Sequence, residues 1–254
     1  MVPRMSPVLE LFVLFLAAVF AGAQNTLAGG GSFVTFPVLL FAGLDARAAN
    51  VTSTVALFPG QIVSGWAGRE LVAGTPSLSV RRLVVVSLAG GAVGAVLLLS
   101  TPVAFFARLV PWLVLFATAV FAWGSFARRP SAAGGRLGAG AAAAIQFAIA
   151  VYGGYFGGGI GFLMLAALTA AGMAVRAAGA TKNVLAGAMN ASAVLIFVFS
   201  PDVHWREAAS VCVGAILGGL SGVWLLKRVP ERLLRAGIVV LGVALTVGLF
   251  LRQA

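Results

Sequence analysis

The sequence predicts an all-α polytopic membrane protein: two inverted repeats of about five helical elements each, with broken or short helices at glycine-rich motifs. Three observations lead there, namely an apolar composition, an internal duplication and an uneven spread of arginine. Of 254 residues, 61% are hydrophobic and 9% charged, and the mean hydropathy is +1.08. No soluble fold carries so little charge. At about 20 apolar residues per crossing, the length accommodates roughly eight to ten membrane elements.

The duplication emerges when the chain is set against itself at an offset of 128 or 129. Gly29-Gly30-Gly31-Ser32-Phe33 then falls on Gly157-Gly158-Gly159-Ile160-Gly161-Phe162, with one residue inserted after the triplet. Arg47-Ala48-Ala49 and Thr52 fall on Arg176-Ala177-Ala178 and Thr181, and Gly90, Gly91 and Gly94 on Gly218, Gly219 and Gly222. Pro102 faces Pro230. One integral membrane domain therefore divides into repeats 1–127 and 128–254, meeting near the arginine-rich stretch 127–137. Arg4, the run from Val8 to Phe20 and Ala21-Gly22-Ala23 imitate a cleavable secretion signal. Because this segment has a counterpart deep in the chain, it reads instead as the first repeat element.

Each half contains five apolar stretches: 8–28, 32–44, 50–66, 80–100 and 103–126, then 138–156, 160–172, 181–199, 206–226 and 233–251. The second of each five is short. Thirteen helical residues reach about 20 Å, against a hydrocarbon core of about 30 Å. Fused to its predecessor as one straight helix, 8–44 would run to about 55 Å, so a break at the glycines is required. Ten elements place twelve basic residues on one side and five on the other, whereas eight give nine against eight. Positive charge collects on the cytoplasmic side, so ten elements with both termini outside are expected. An odd number per half inserts the copies oppositely, which is the signature of secondary transporters.

The glycines divide into two kinds. Gly90, Gly94, Gly218 and Gly222 have small-xxx-small spacing and read as helix-packing residues. The two triplets break a helix, and each opens a short segment whose first N–H groups lack intrahelical partners. Such donors cannot face lipid; they favour an anion or serve a purely structural break. Gly30, Gly31, Ser32, Gly158 and Gly159 are therefore candidate substrate contacts. So are Thr52-Ser53-Thr54 and their counterparts Thr181-Lys182-Asn183, at the expected start of each third stretch, where N-capping is the alternative. Lys182 reads either as an anion ligand or as an ordinary cytoplasmic loop cation. Asn190 joins the set, with Gln61, Tyr152 and Tyr155 as weaker candidates, since a polar group within an apolar stretch needs a partner. Arg47 and Arg176 are symmetric candidates for cations at the two mouths, or for loop anchors.

What is missing narrows the chemistry. The acids Glu10, Asp45, Glu70, Asp202, Glu207 and Glu231 all lie near expected helix ends or loops, whereas cation carriers place carboxylates inside the bundle. A small anion is the expected cargo. One cysteine and one histidine leave no disulfide and no metal cluster, and no cofactor is expected. The net charge of +11 is scattered singly and in pairs between apolar runs, which argues for a lipid bilayer and against nucleic acid. An intramembrane enzyme would need a nucleophile and base, or paired carboxylates, within the bundle; Cys212 and His204 do not supply that.

At the residues Gly29-Gly30-Gly31-Ser32-Phe33, Ala49 with Thr52-Ser53, Gly157-Gly158-Gly159 with Gly161-Phe162, and Ala178 with Thr181-Lys182 and Asn190, the chain resembles the TauE/SafE family of sulfite exporters, also called the 4-toluene sulfonate uptake permease family. The resemblance spans both halves. It implies a multi-pass carrier of the bacterial inner membrane for sulfite, thiosulfate or related sulfur oxyanions and organosulfonates. Such families are described as four-plus-four spans, against ten elements here. The expected mechanism is alternating access, the two copies rocking about a central oxyanion site. The alternatives are a carrier of another small anion and a non-transporting scaffold or assembly factor.

Overall fold

A computed structural model describes residues 6–27, 30–67, 69–126, 138–226 and 231–253. Its regular elements are helices: α1 (Pro7–Leu27), α2 (Ser32–Phe41), α3 (Ala46–Ala67), α4 (Val80–Ser100), α5 (Val103–Phe126), α6 (Ala139–Tyr155), α7 (Ile160–Ala170), α8 (Val175–Phe197), α9 (Trp205–Leu226) and α10 (Glu231–Gln253), with a 3-10 turn at Arg69–Leu71. The junction expected between 127 and 128, along with Gly29, Arg128, Arg129, Arg136, Lys227, Arg228 and Pro230, lies outside the described residues.

Ten α-helices lie among the described residues, eight of them long. The two short ones, α2 and α7, have 10 and 11 residues and reach about 15–17 Å. Both end in the same way. Gly43 and Gly172 adopt φ of 95° and 94°, a left-handed conformation that glycine takes without strain. The following N–H then reaches back, Leu44 to the Leu39 carbonyl and Met173 to that of Leu168, closing a Schellman motif.

The third element of each half starts earlier than its apolar run. α3 begins at Ala46 rather than 50, and α8 at Val175 rather than 181. For α3 the cause is local: the Asp45 carboxylate accepts from the N–H of Arg47 and of Ala48, at 2.9 and 3.0 Å, capping the first turn. The triads beginning at Thr52 and Thr181 therefore sit inside helices, and the N-capping alternative for them is corrected.

Backbone-close seams join the halves. Gly214 and Gly218 of α9 lie against the Phe15 and Val19 carbonyls of α1, and Gly22 of α1 against Ala215. Gly90 and Gly94 of α4 lie against Phe147 and Val151 of α6, while Gly91 meets Met189 of α8. Small residues allow this approach, and the packing expectation holds for the described glycines of the set; the surroundings of Gly222 are outside the description. Thus each half's first helix packs on the other half's fourth.

The outer surface is apolar. Trp112, Phe116, Trp123, Leu195, Leu220 and Val240 are exposed. Among the described residues three helical segments are long and apolar enough to cross a bilayer: Pro7–Asn25, Val80–Ser100 and Val103–Gly124. Several of the remaining long helices are diluted by polar residues, and two of these, α3 and α8, line the interior cavity.

Candidate functional site

α3 and α8 pack against each other, and residues at the breaks before α2 and α7 reach the same space. Between them lies a cavity of about 50 Å³. Ser53, Thr54, Leu57 and Gln61 of α3 line it, as do Lys182, Asn183, Ala186 and Asn190 of α8. At an offset of 129 these are four matched pairs. Gly30, Ser32, Gly157, Gly161, Ile160, Asn25 and Phe156 complete the wall.

The pair Gln61 and Asn190 closes on itself, with Asn190 Nδ2 donating to Gln61 Oε1 at 2.6 Å. Ser53 Oγ lies 2.6 Å from Thr35 Oγ1, and Thr54 Oγ1 donates to the Asn50 carbonyl at 2.9 Å. Asn25 Oδ1 accepts from the Gly31 N–H at 3.5 Å. Lys182 is 6% exposed, and its Nζ donates to Asn183 Oδ1 at 3.0 Å. It stands in the second turn of α8, so its reading as a loop cation is corrected. No carboxylate, imidazole or thiol lines the cavity among the described residues.

The breaks differ in register from the sequence alignment. Gly30 and Gly159, rather than Gly31 and Gly159, are equivalent: their φ values are 91° and 73°, and their carbonyls accept from Phe33 and Phe162 at 2.9 and 3.1 Å. The inserted residue therefore precedes the turn, because each helix start requires one left-handed residue and glycine alone supplies it cheaply. Among the described residues the N–H groups of Ser32, Ile160 and Gly161 make no hydrogen bond.

Other expected site residues point elsewhere. Gly31 packs against Ala21, and Gly158 and Gly159 against Ala117; none of the three lines the cavity. Thr52 Oγ1 donates to the Asp202 carbonyl at 3.3 Å and accepts from the His204 N–H at 3.1 Å. Thr181 Oγ1 donates to the Ala73 carbonyl at 3.0 Å and accepts from its N–H at 3.1 Å. Each threonine thus fastens a loop of the opposite half. Arg47 is also committed: its guanidinium forks onto Asp202, Nε at 3.0 Å and Nη2 at 3.1 Å, and Nη1 donates to the Thr101 carbonyl at 3.2 Å. Its counterpart Arg176 is exposed, because Ala73 stands where Asp202 would be matched. Tyr155 Oη donates to Thr101 at 3.3 Å.

The family model of the sulfite exporter TauE/SafE matches residues 14–249. The chain belongs to the TauE/SafE family. As a TauE/SafE protein it has relatives that are named as transporters. It is 27% identical over 245 residues to "Probable membrane transporter protein YfcA" of Escherichia coli strain K12, covering 95% of this chain and 89% of the relative. It is 25% identical over 242 residues to "Probable membrane transporter protein" of Haemophilus influenzae, covering 93% and 92%. A third relative, "Probable membrane transporter protein ORF9" of Sinorhizobium sp, is 28% identical over 248 residues, covering 94% and 92%. This TauE/SafE chain is a membrane transporter by family.

Asn25, Leu57, Phe156 and Ala186 line the TauE/SafE cavity without having been singled out in sequence, and Gly157, Ile160 and Gly161 line it though the motifs that contain them were not extended to them as contacts. The repeat offset points to some of these: applied to Ser32 it gives Gly161, and Leu57 and Ala186 are a matched pair.

Proposed function

We propose that this chain is a secondary transporter that exports sulfite or related sulfur oxyanions and organosulfonates across the bacterial inner membrane. It works by alternating access to a site that two oppositely inserted repeats share. The observation that carries the reading is Lys182, an ammonium at 6% exposure in a central cavity whose described lining holds no acid. A buried cation without a counter-charge is costly, and an anionic cargo supplies the missing partner. Unpaired N–H groups at the α7 start face the same space and favour negative charge.

The inverted arrangement is supported by contacts that recur with the halves exchanged. α1 packs on α9 and α6 on α4, Thr52 and Thr181 fasten opposite loops, and Gln61 meets its own counterpart. Sulfite as the cargo is supported by the family description. The membrane potential supports the export direction: a monoanion leaves a negative-inside cell downhill, by about 2.3 kcal/mol per 100 mV.

The test is flux into proteoliposomes with sulfite, thiosulfate, sulfate and small sulfonates compared side by side. Movement of at least one sulfur oxyanion is expected. If none moves while chloride or a cation does, the substrate reading fails.

A further inference from the structure

We propose that the cavity counts charge, admitting cargo with one net negative charge and rejecting a dianion of the same shape, with Lys182 as the residue that sets the number. This deepens the anion-site reading and rests on it. Lys182 is the one basic side chain among the described lining residues, and its counterpart in the other half, Ser53, is neutral. The two walls therefore differ by one full charge.

The neutral donors are dipoles and carry no net charge to offset a second negative one. One N–H of Asn190 goes to Gln61, the hydroxyl of Thr54 to the Asn50 carbonyl, and that of Ser53 is paired with Thr35. What remains is two N–H donors of the ammonium, the second N–H of Asn190, the amide N–H groups of Asn25, Gln61 and Asn183, the Ser32 hydroxyl and the first N–H groups of α7. That set can surround an oxyanion with donors but supplies a single positive charge. A second negative charge would lose its water without gaining an opposite charge, and an uncompensated buried charge carries the full desolvation penalty. The volume of about 50 Å³ holds about three to five water positions, which is the scale of an oxyanion head group. Leu57, Ile160 and Ala186 in the lining offer apolar surface that suits a methyl group better than a second charged oxygen.

The experiment compares methanesulfonate with sulfate in proteoliposomes of the full chain at neutral pH. The two anions share a tetrahedral shape and differ by exchange of a methyl group for a charged oxygen. Methanesulfonate is expected to move at least about tenfold faster, equivalent to one decade of affinity. Equal or faster sulfate flux overturns the charge count while leaving the anion site standing. If neither anion nor sulfite moves, the transport reading falls with it. Lys182→Gln, checked for monodispersity by gel filtration, is expected to lose methanesulfonate flux at least about tenfold; a folded variant with unchanged flux and selectivity overturns the role of Lys182. Ser53→Lys, which puts an ammonium on the opposite wall, is expected to raise sulfate relative to methanesulfonate, and an unchanged ratio in the folded variant counts against the proposal.

Discussion

Asn190 Nδ2 donates to Gln61 Oε1 at 2.6 Å, and the two residues are counterparts at an offset of 129. The contact ties α3 to α8, and both residues line the cavity between them.

Truncating one member strands a polar group in an apolar interior. Gln61→Leu or Asn190→Leu alone is expected to lower stability by about 1–3 kcal/mol. The double variant should cost less than the sum of the two. Thermal unfolding in detergent, arranged as a double-mutant cycle, measures the coupling; strict additivity would sink the pairing.

The fork from Arg47 to Asp202 is only partly screened, with side-chain exposures of 18% and 13%. Arg47→Gln is expected to destabilise by about 1–3 kcal/mol, the range for hydrogen bonds to charged groups reduced for partial exposure. The counterpart Arg176→Gln should stay within about 0.5 kcal/mol. The comparison is again read by melting in detergent, and equal effects would refute it.

Thr52→Val and Thr181→Val each remove a hydroxyl that both donates and accepts across the halves. Each is expected to cost about 1–3 kcal/mol and to raise hydrogen exchange at the fastened loop, near His204 or Ala73. Mass-spectrometric exchange should localise the effect to the loop named in each case; a diffuse change would count against the assignment.

Gly159 combines a φ of 73° with an added Cβ 3.2 Å from the Ala117 carbonyl. Gly159→Ala is expected to cost about 1–2 kcal/mol for the left-handed conformation. Gly187 in α8 has open space at the same distance range, so Gly187→Ala should be neutral or stabilising by up to about 1 kcal/mol. Equal tolerance of both would show that the turn before α7 is not strained for alanine.

The ten elements were legible because Gly29 to Gly31 and Gly157 to Gly159 interrupt apolar runs too short to cross alone. The early starts of α3 and α8 were not, because Ala46 to Asn50 and Val175 to Ala180 carry arginine and alanine with little apolar period, and the cap from Asp45 decides the first of them. Ser53, Thr54, Lys182 and Asn183 were identified as polar triads repeated at the expected start of each third stretch and Asn190 by its polarity within an apolar one, and they line the cavity. Thr52 and Thr181 have the same polarity but opposite duty. Their partners lie 150 and 108 residues away, and no local pattern encodes such a separation. The commitment of Arg47 to Asp202, 155 residues on, was hidden for the same reason.

The glycine seams have a mechanical consequence. With α1 laced onto α9 and α6 onto α4 through backbone-close glycines, the alternating access proposed above would meet its greatest resistance along the boundary between the sequence halves. A swing of residues 1–127 against the remainder would prise open both zippers together. Under that proposal the stiff frame would combine helices of both halves, and movement would fall to α2, α7 and the loops held by Thr52 and Thr181. A disulfide engineered between Val19 and Gly218 should therefore leave turnover intact, whereas one tying the loop at Asp202 to α3 should stop it.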